Sequence, residues 1–410
     1  MTALLCGVIL CSCTQISDEI KMDKHKMLNN ISVVPVNEKT DKTTEHTEKY
    51  EPVNYDDQKA IWFSYIDVAP LISGKNENEF KSNFEQVCKN IRSVGCNTIY
   101  IHVRPFGDAL YNSELFQKSR YLSEKQNYDP LKIMIEIGHK YDLSVHGWIN
   151  PLRCETEDRI KNISEDYQIK KWYDEISEND IICGVENDEH LWLNPAYEEV
   201  RSFIAEGVKE IVENYNVDGI HLDDYFYPTT DEKFDKQCYA ENRTGDSIEK
   251  WRMNNISKMV SEIYKAVKSV NENILVGISP QGNIENNYQY MYADVKKWGS
   301  ENGYCDYIVP QVYFGYNNNL KPFKETISDW NKIADNENIH LIIGLGIYKI
   351  MQEDEFNNTV GIIAQQINDS FEISDGVALY TYSNLFAPEN SFEKRIDLEK
   401  TTIQKALAEN

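Results

Sequence analysis

Several things are scarce in this sequence of 410 residues, and each absence removes a class of function. Positive charge comes first: 42 Lys and Arg stand against 67 Asp and Glu, for a formal charge of −25. With no basic surface to displace counterions, nucleic acid is excluded as a partner, and broad docking onto anionic lipid is disfavoured. Long apolar runs are missing too. The N-terminal stretch from Met1 to Cys13 is too short to stand as a permanent bilayer-spanning helix. No C-x-x-C pair occurs among Cys88, Cys96, Cys154, Cys183, Cys238 and Cys305, which argues against a zinc ribbon. Scattered thiols are expected, Cys154 and Cys183 being the one pair placed to staple a loop. No G-x-G-x-x-G or G-x-x-x-x-G-K follows any expected strand, so the usual nucleotide cradle is absent and no cofactor is expected.

What the chain does have begins at Leu10-Cys11-Ser12-Cys13. A small residue before Cys, with Leu three positions ahead, resembles a bacterial lipobox, although no Lys or Arg precedes the apolar run. It predicts export and lipidation at Cys13, with the anchor as the only membrane contact. Residues 14–57 are polar and lack apolar periodicity, and read as a flexible tether. From residue 58 to 410 the texture changes to β-rich runs separated by amphipathic helices.

Eight such runs can be traced. They are Ala60–Ile66, Asn97–Arg104, Leu143–Asn150, the stretch from Val217 to Asp223, Ile274–Ser279, Tyr307–Tyr313, His340–Gly346 and Gly376–Tyr382. Helical spacing fills the intervals near 77–94, 129–141, 195–215, 247–270, 288–300, 322–335 and 355–370, with a last helix near 391–408. Strands alternating with helices imply a parallel sheet. Eight units over this length fit an α/β fold of the (β/α)8 TIM-barrel type, with a long polar insertion at 152–193 between strands three and four. A doubly wound open sheet is the alternative. A single barrel acting as a monomer is expected.

In such a barrel the site lies at the C-terminal strand ends. Alternation, with the less apolar register taken as inward, gathers His102 and Arg104 from strand two and Trp148 and Asn150 from strand three. It adds His221 and Asp223 from strand four, Gln281 past strand five, Gln311 and Tyr313 from strand six, Tyr348 past strand seven, and Tyr380 from strand eight. Amide and guanidinium donors suit sugar hydroxyls, and aromatic faces suit the apolar sides of sugar rings. Glycoside cleavage needs a carboxylate near the anomeric carbon and a proton donor at the leaving oxygen. Asp223 fits nucleophile or electrostatic stabiliser. Asp224 fits the acid or a group orienting a substrate acetamido, if a turn swings it into the mouth. Asp108 and Glu285 are reserve acids. His221 and Asp223 share a face, but without a third ligand in register they are poor evidence for a metal, and none is expected.

From residue 58 to about 388 the chain resembles the bacterial glycosyl hydrolase-like 10 family. The matching segments are Ile101–Tyr111, His146–Arg153, Trp192–Pro195, Asp218–Pro228, Gly277–Pro280 and Pro310–Tyr313. The resemblance implies a TIM-barrel glycosidase, and for some members action on peptidoglycan glycan strands stripped of their peptides. Through these segments Asp108, Arg153, Asn194 and Tyr225 join the expected polysaccharide-binding residues. Gly219-Ile-His-Leu-Asp223 also looks like the fourth-strand motif of the α-amylase clan, with His221 where that clan has Arg. Asp218-Gly-x-x-x-Asp223 is similar to the chitinase motif, whose acid Glu is replaced here by Tyr225 and Phe226. A catalytically inactive glycan-binding barrel and an α-glucan-type glycosidase are the rival readings.

Overall fold

The computed structural model describes residues 50–410 apart from positions 124 and 244. Cys13 and the expected tether up to residue 49 lie outside the described residues. Eight strands carry the fold: β1 (Gln58–Phe63), β2 (Thr98–Arg104), β3 (Ser144–Ile149), β4 (Gly219–Leu222), β5 (Leu275–Ile278), β6 (Tyr307–Ile308), β7 (His340–Gly346) and β8 (Gly376–Tyr380). They pair in parallel in chain order and close through β1 against β8, which makes a (β/α)8 barrel. The expected barrel is present, and the open sheet is not. The principal helices are α1 (Glu77–Ser93), α2 (Pro130–Lys140), α3 (Glu198–Asn214), α4 (Ile248–Val270), α5 (Val295–Ser300), α6 (Phe323–Ile333), α7 (Ile362–Phe371) and α8 (Glu393–Glu409).

Alternation within each strand builds two different cores. Ile61, Phe63, Ile99, Ile101, Val145, Ile149, Ile220, Leu222, Val276 and Ile278 face outward and are buried beneath the helices. Each such side chain contributes about 1.5–3 kcal/mol of hydrophobic stabilisation. The inner face instead carries Trp62, Tyr100, Trp148 and Tyr307 with Ala60 and Ala378. Glycine makes room for that bulk. A Cβ at Gly219 would strike the His146 ring, and one at Gly277 the Tyr307 ring.

The ends of the barrel are pinned separately. At the N-terminal end Asp218, just before β4, accepts from Val145 N (2.6 Å), Val53 N (2.6 Å) and His139 Nε2 (2.8 Å). Residues 51–57 therefore lie against the barrel, with Tyr55 Oη donating to Asp142 O and Asn54 Nδ2 to Asn273 O. At the other end Ser64 ends β1 by capping the helix Tyr65–Ile72, so the first strand stops short of the expected Ile66. Asp67 in that helix accepts from Ser64 Oγ (2.7 Å), Thr381 Oγ1 (2.8 Å) and Ser383 N (2.9 Å), which ties β1 to the end of β8.

Between β3 and α3, residues 150–197 carry a three-stranded antiparallel sheet (Arg153–Thr156, Ile182–Gly184, His190–Leu193) and two short helices. The polar texture of this stretch hid those strands. All six described cysteines are free thiols, so Cys154 and Cys183 do not staple it.

Candidate active site at the mouth of the barrel

A cleft of about 340 Å³ opens where the strands end, lined by Trp62, Trp148, Asp223, Asp224, Tyr225, Gln311, Tyr313, Tyr348 and Tyr380. Larger grooves run along the helical flanks, away from the strand ends. Among the described lining residues of the cleft, Asp223 and Asp224 are the only carboxylates.

Asp223 leaves β4 one residue past its last pairing and is 7 % exposed. Its Oδ1 accepts from Gln311 Nε2 (3.1 Å) and from the backbone N–H of Asp224 (2.9 Å). Gln311 is itself held by donating to Ser279 O (3.1 Å). The chain turns directly after β4, Phe226 N donating to Asp224 O, and the turn brings Asp224 into the cleft beside Asp223. The two carboxyls thus stand on consecutive residues of one turn, lining the same cleft. Burial first, then the charge of Asp224, pushes Asp223 well above the usual carboxylate range. Burial also raises Asp224, while hydrogen bonds from Asp223, Gln281 and Gln311 act in the opposite direction. Both carboxyls are thus held above the usual carboxylate range, and their protonation is shared between them.

The turn that carries the pair is anchored from behind. Arg252 of α4 donates Nε to Asp235 Oδ2 (2.7 Å) and Nη2 to Asp235 Oδ1 (2.6 Å), with both side chains fully buried. Tyr227 Oη donates to the same carboxylate (3.0 Å).

Aromatic rings form the walls. Tyr313 and Tyr380 lie 5.7 Å apart at 30°, Tyr348 stands edge-on to both, and Trp62 meets Tyr380 at 5.8 Å. On the opposite wall His102 stacks on Trp148 at 3.8 Å and 10°, and burial holds its imidazole well below its ordinary pKa. Tyr225 stacks on Trp192 and lies under the Arg153 guanidinium, 5.0 Å from ring centre to Cζ.

Several expected residues stand elsewhere. A register shift between His102 and Arg104 puts Arg104 opposite Ile149, on the outer face of the sheet. There its guanidinium packs over Phe116 at 4.3 Å, and a side chain at Gly207 of α3 would collide with it. Asp108 is fully buried in a two-residue strand (Asp108–Ala109) paired with Gln117–Lys118, accepting from Phe106 N (2.9 Å). Asn150 donates to Pro105 O (3.1 Å) and Asn194 to Asp180 O (2.9 Å), both as loop braces. Gln281 flanks Asp224 without lining the cleft, and Glu285 pairs with Lys321.

His221 is inward, as expected, but lies beneath the floor and is fully buried. The indole N–H of Trp62 donates to its Nε2 (3.0 Å), so the imidazole proton sits on Nδ1 and points to Tyr307 Oη (3.1 Å). Tyr307 then donates to His146 Nδ1 (2.7 Å), whose Nε2–H reaches Ser144 Oγ (3.0 Å). This one-way chain requires both imidazoles to be neutral. Burial enforces that, depressing His221 well below its ordinary value and His146 to about 4. Trp62 is the cleft residue the sequence reading passed over, although alternation along β1 sets it on the inner face with Ala60.

No group of three or more metal-ligating side chains occurs among the described residues. Comparison with known proteins sharpens the picture. A Bacillus subtilis protein named glycosyl hydrolase YngK is 31% identical over 319 residues, covering 71% of this chain and 61% of that protein. Glycosyl hydrolase DigH of Escherichia coli K12 is 27% identical over 334 residues, covering 73% of this chain and 75% of the relative. The chain thus spans less than two thirds of the Bacillus relative's length. Among solved structures, the glycoside hydrolase domain of PgaB (BpsB) from Bordetella bronchiseptica superposes with a TM-score of 0.54 at 8% identity, covering 83% of this chain and 98% of that one. That likeness concerns the fold. The family model for glycosyl hydrolase-like 10 matches residues 57–360, and the chain belongs to that family.

Proposed function

We propose that the protein hydrolyses glycosidic bonds in an N-acetylhexosamine glycan, peptide-free peptidoglycan strands being the leading candidate, with Asp223 and Asp224 as one catalytic pair. The observation that carries this reading is a pair of adjacent carboxyls, the only ones among the described lining residues, in an aromatic cleft at the strand ends. Two-carboxylate glycosidases hold their groups about 5–5.5 Å apart for a direct nucleophile and about 6.5–9.5 Å apart for an activated water. Carboxyls on consecutive residues of one turn, bridged by the Asp224 N–H on Asp223 Oδ1, are a poor match to either spacing. A nucleophile supplied by the substrate suits that arrangement.

In the free cleft Asp223, the more buried of the two, holds the proton. A 2-acetamido N–H donated to Asp223 favours its ionised form and passes the proton to Asp224, which is half-buried and faces the cleft. Asp224 then protonates the leaving oxygen as the C1–O bond breaks and the acetamido oxygen bonds to C1. Water, deprotonated by Asp224, opens that ring with net retention of configuration and restores the proton to the pair. Tyr313, Tyr348 and Tyr380 supply ring faces for the sugar. The Leu10-Cys11-Ser12-Cys13 motif supports an exported protein lipidated at Cys13, acting outside the cell on wall polymer.

The test is incubation with peptide-free wall glycan, chitin oligomers and α-glucans, with mass spectrometry of the products. New reducing ends from the N-acetylated glycans alone are expected, lost in Asp224→Asn. Cleavage restricted to α-glucans overturns the substrate assignment. Retention of glycan with no cleavage at any pH makes the molecule a binding barrel.

A further inference from the structure

Away from the mouth, a groove of about 640 Å³ runs along the flank between α3 and α4, with Lys297 of α5 and Tyr304 in its lining. It shares no lining residue with the catalytic cleft. Trp251, Asn255, Lys258, Glu262 and Lys265 recur at steps of three and four residues, so one stripe of α4 faces it. Two polar atoms of that stripe are buried without a hydrogen-bond partner, Nδ2 of Asn255 and Oε2 of Glu262. Asn255 is only 4 % exposed, so its orphaned donor is not a loose surface amide. Glu262 is held in place: its Oε1 accepts from Arg201 Nε (3.2 Å). Arg201 is braced in turn, its Nη1 donating to Pro195 O (2.9 Å) and Ala196 O (3.0 Å). That pairing uses one carboxylate oxygen of Glu262 and leaves the other unused.

An unused donor and an unused acceptor in one groove restrict what can fill it. A simple anion would satisfy Asn255 but would meet the Glu262 oxygen with like charge, and a simple cation would do the reverse. A hydroxyl group both donates and accepts, so a polyhydroxylated ligand satisfies the two together. Asn255 and Glu262 stand seven residues apart on one helix, about 10 Å along its axis. That span exceeds a single pyranose ring and suits a chain of sugars. The lining also carries four cations (Arg201, Lys258, Lys265 and Lys297) against three carboxylates (Glu198, Glu199 and Glu262). In a chain of net charge −25, this groove is spared the repulsion that the protein as a whole exerts on an acidic polymer.

We propose that this groove is a second, non-catalytic glycan site that holds a segment of at least two sugar units, Asn255 donating to one and Glu262 accepting from another. It lies outside the cleft and does not need cleavage to occur. A polymer held there stays close to the molecule between encounters with the mouth, which raises its effective concentration at the cleft. Oligomers too short to engage both places gain nothing from it.

The experiment counts, by native mass spectrometry, the chitin hexamers that one full chain of the Asp223→Asn variant holds. Two are expected, one in the cleft and one in the groove. Asn255→Ala and Glu262→Gln, each added to that parent, should weaken the second about tenfold, the effect of one hydrogen bond. In the otherwise wild-type chain the same two substitutions should raise KM for soluble chitin polymer several-fold, with kcat and the KM for chitin trimers unchanged. Glu262 is part-exposed on a helix surface and glutamine keeps its shape, so this variant gives a reading even where Asn255→Ala does not fold. A single hexamer on the parent, or a second one indifferent to both substitutions, overturns the proposal. Displacement of the second hexamer by inorganic phosphate but not by chitin trimers makes the groove an anion site and overturns it as well. Should no glycan be cleaved, the hexamer count still decides the matter of the groove, so the hydrolytic reading can fail alone.

Discussion

Asp218 and Asp223 stand five residues apart at opposite ends of one short strand, and their surroundings could hardly differ more. Asp218 is saturated: two backbone N–H groups and a histidine converge on its two oxygens. Asp223 has two donors on a single oxygen, with a second carboxyl beside it. The first arrangement satisfies a charge and fastens residues 51–57 to the barrel. The second leaves a carboxyl short of donors, and burial holds it above the usual carboxylate range. Chemistry at the two ends of β4 is decided by how many donors meet each carboxylate, not by its residue type.

The largest test of this contrast exchanges the two sites. Asp223→Asn is expected to lower kcat by about a thousandfold or more while leaving urea stability unchanged or slightly higher, since an amide has no ionised form for burial to penalise. Asp218→Ala should do the reverse: near-normal kcat with about 2–3 kcat-independent kcal/mol of stability lost, because buried N–H groups lose their acceptor. Parallel loss of activity in both variants would erase the distinction.

A smaller effect is read by pH. The raised Asp223 carboxyl means that the folded chain binds this proton more tightly than the unfolded chain does. Its stabilisation is present below the ordinary carboxylate pKa and lost as pH climbs through the raised value. His146 runs the other way. Depressed from 6.5 to about 4, it lets the unfolded chain take a proton that the folded one refuses, so stability is intact above 6.5 and falls as pH drops toward 4. Urea titrations across pH should therefore show Asp223→Asn flattening the alkaline limb and His146→Gln the acid limb. The smallest effect concerns the floor. Trp62→Phe leaves His221 Nε2 without its donor and should cost about 1–2 kcal/mol, with a few-fold rise in KM.

Much of this was legible from residue order, for reasons that also explain the failures. Alternation depends only on pleating, so it placed Trp148, Asp223 and Tyr380 on the inner face and found the helices between strands. It reports which side a residue takes, not how high it sits. His221 shares the inner face with Asp223 but lies a layer lower, where its ring is part of the packing. A bulge breaks the count outright, and the shift after His102 turned Arg104 from the cleft to the helices. Asp108, in a two-residue strand, and Asn150 and Asn194, in loops, turn their polar side chains to nearby backbone, which no periodicity describes. The contact between Asp223 and Asp224 needs a turn that the strand pattern alone does not fix.

The bond network around Asp67 has a practical consequence. It joins the first turn after β1 to residues just past β8, and β8 itself lies beyond residue 360, where the family match stops. A shortened chain ending at that boundary would expose unpaired edges on β1 and β7 and lose Tyr380 from the cleft at the same stroke. Closure of the barrel and the aromatic wall of the cleft therefore depend on the same strand, and trimming back to the family boundary removes both together.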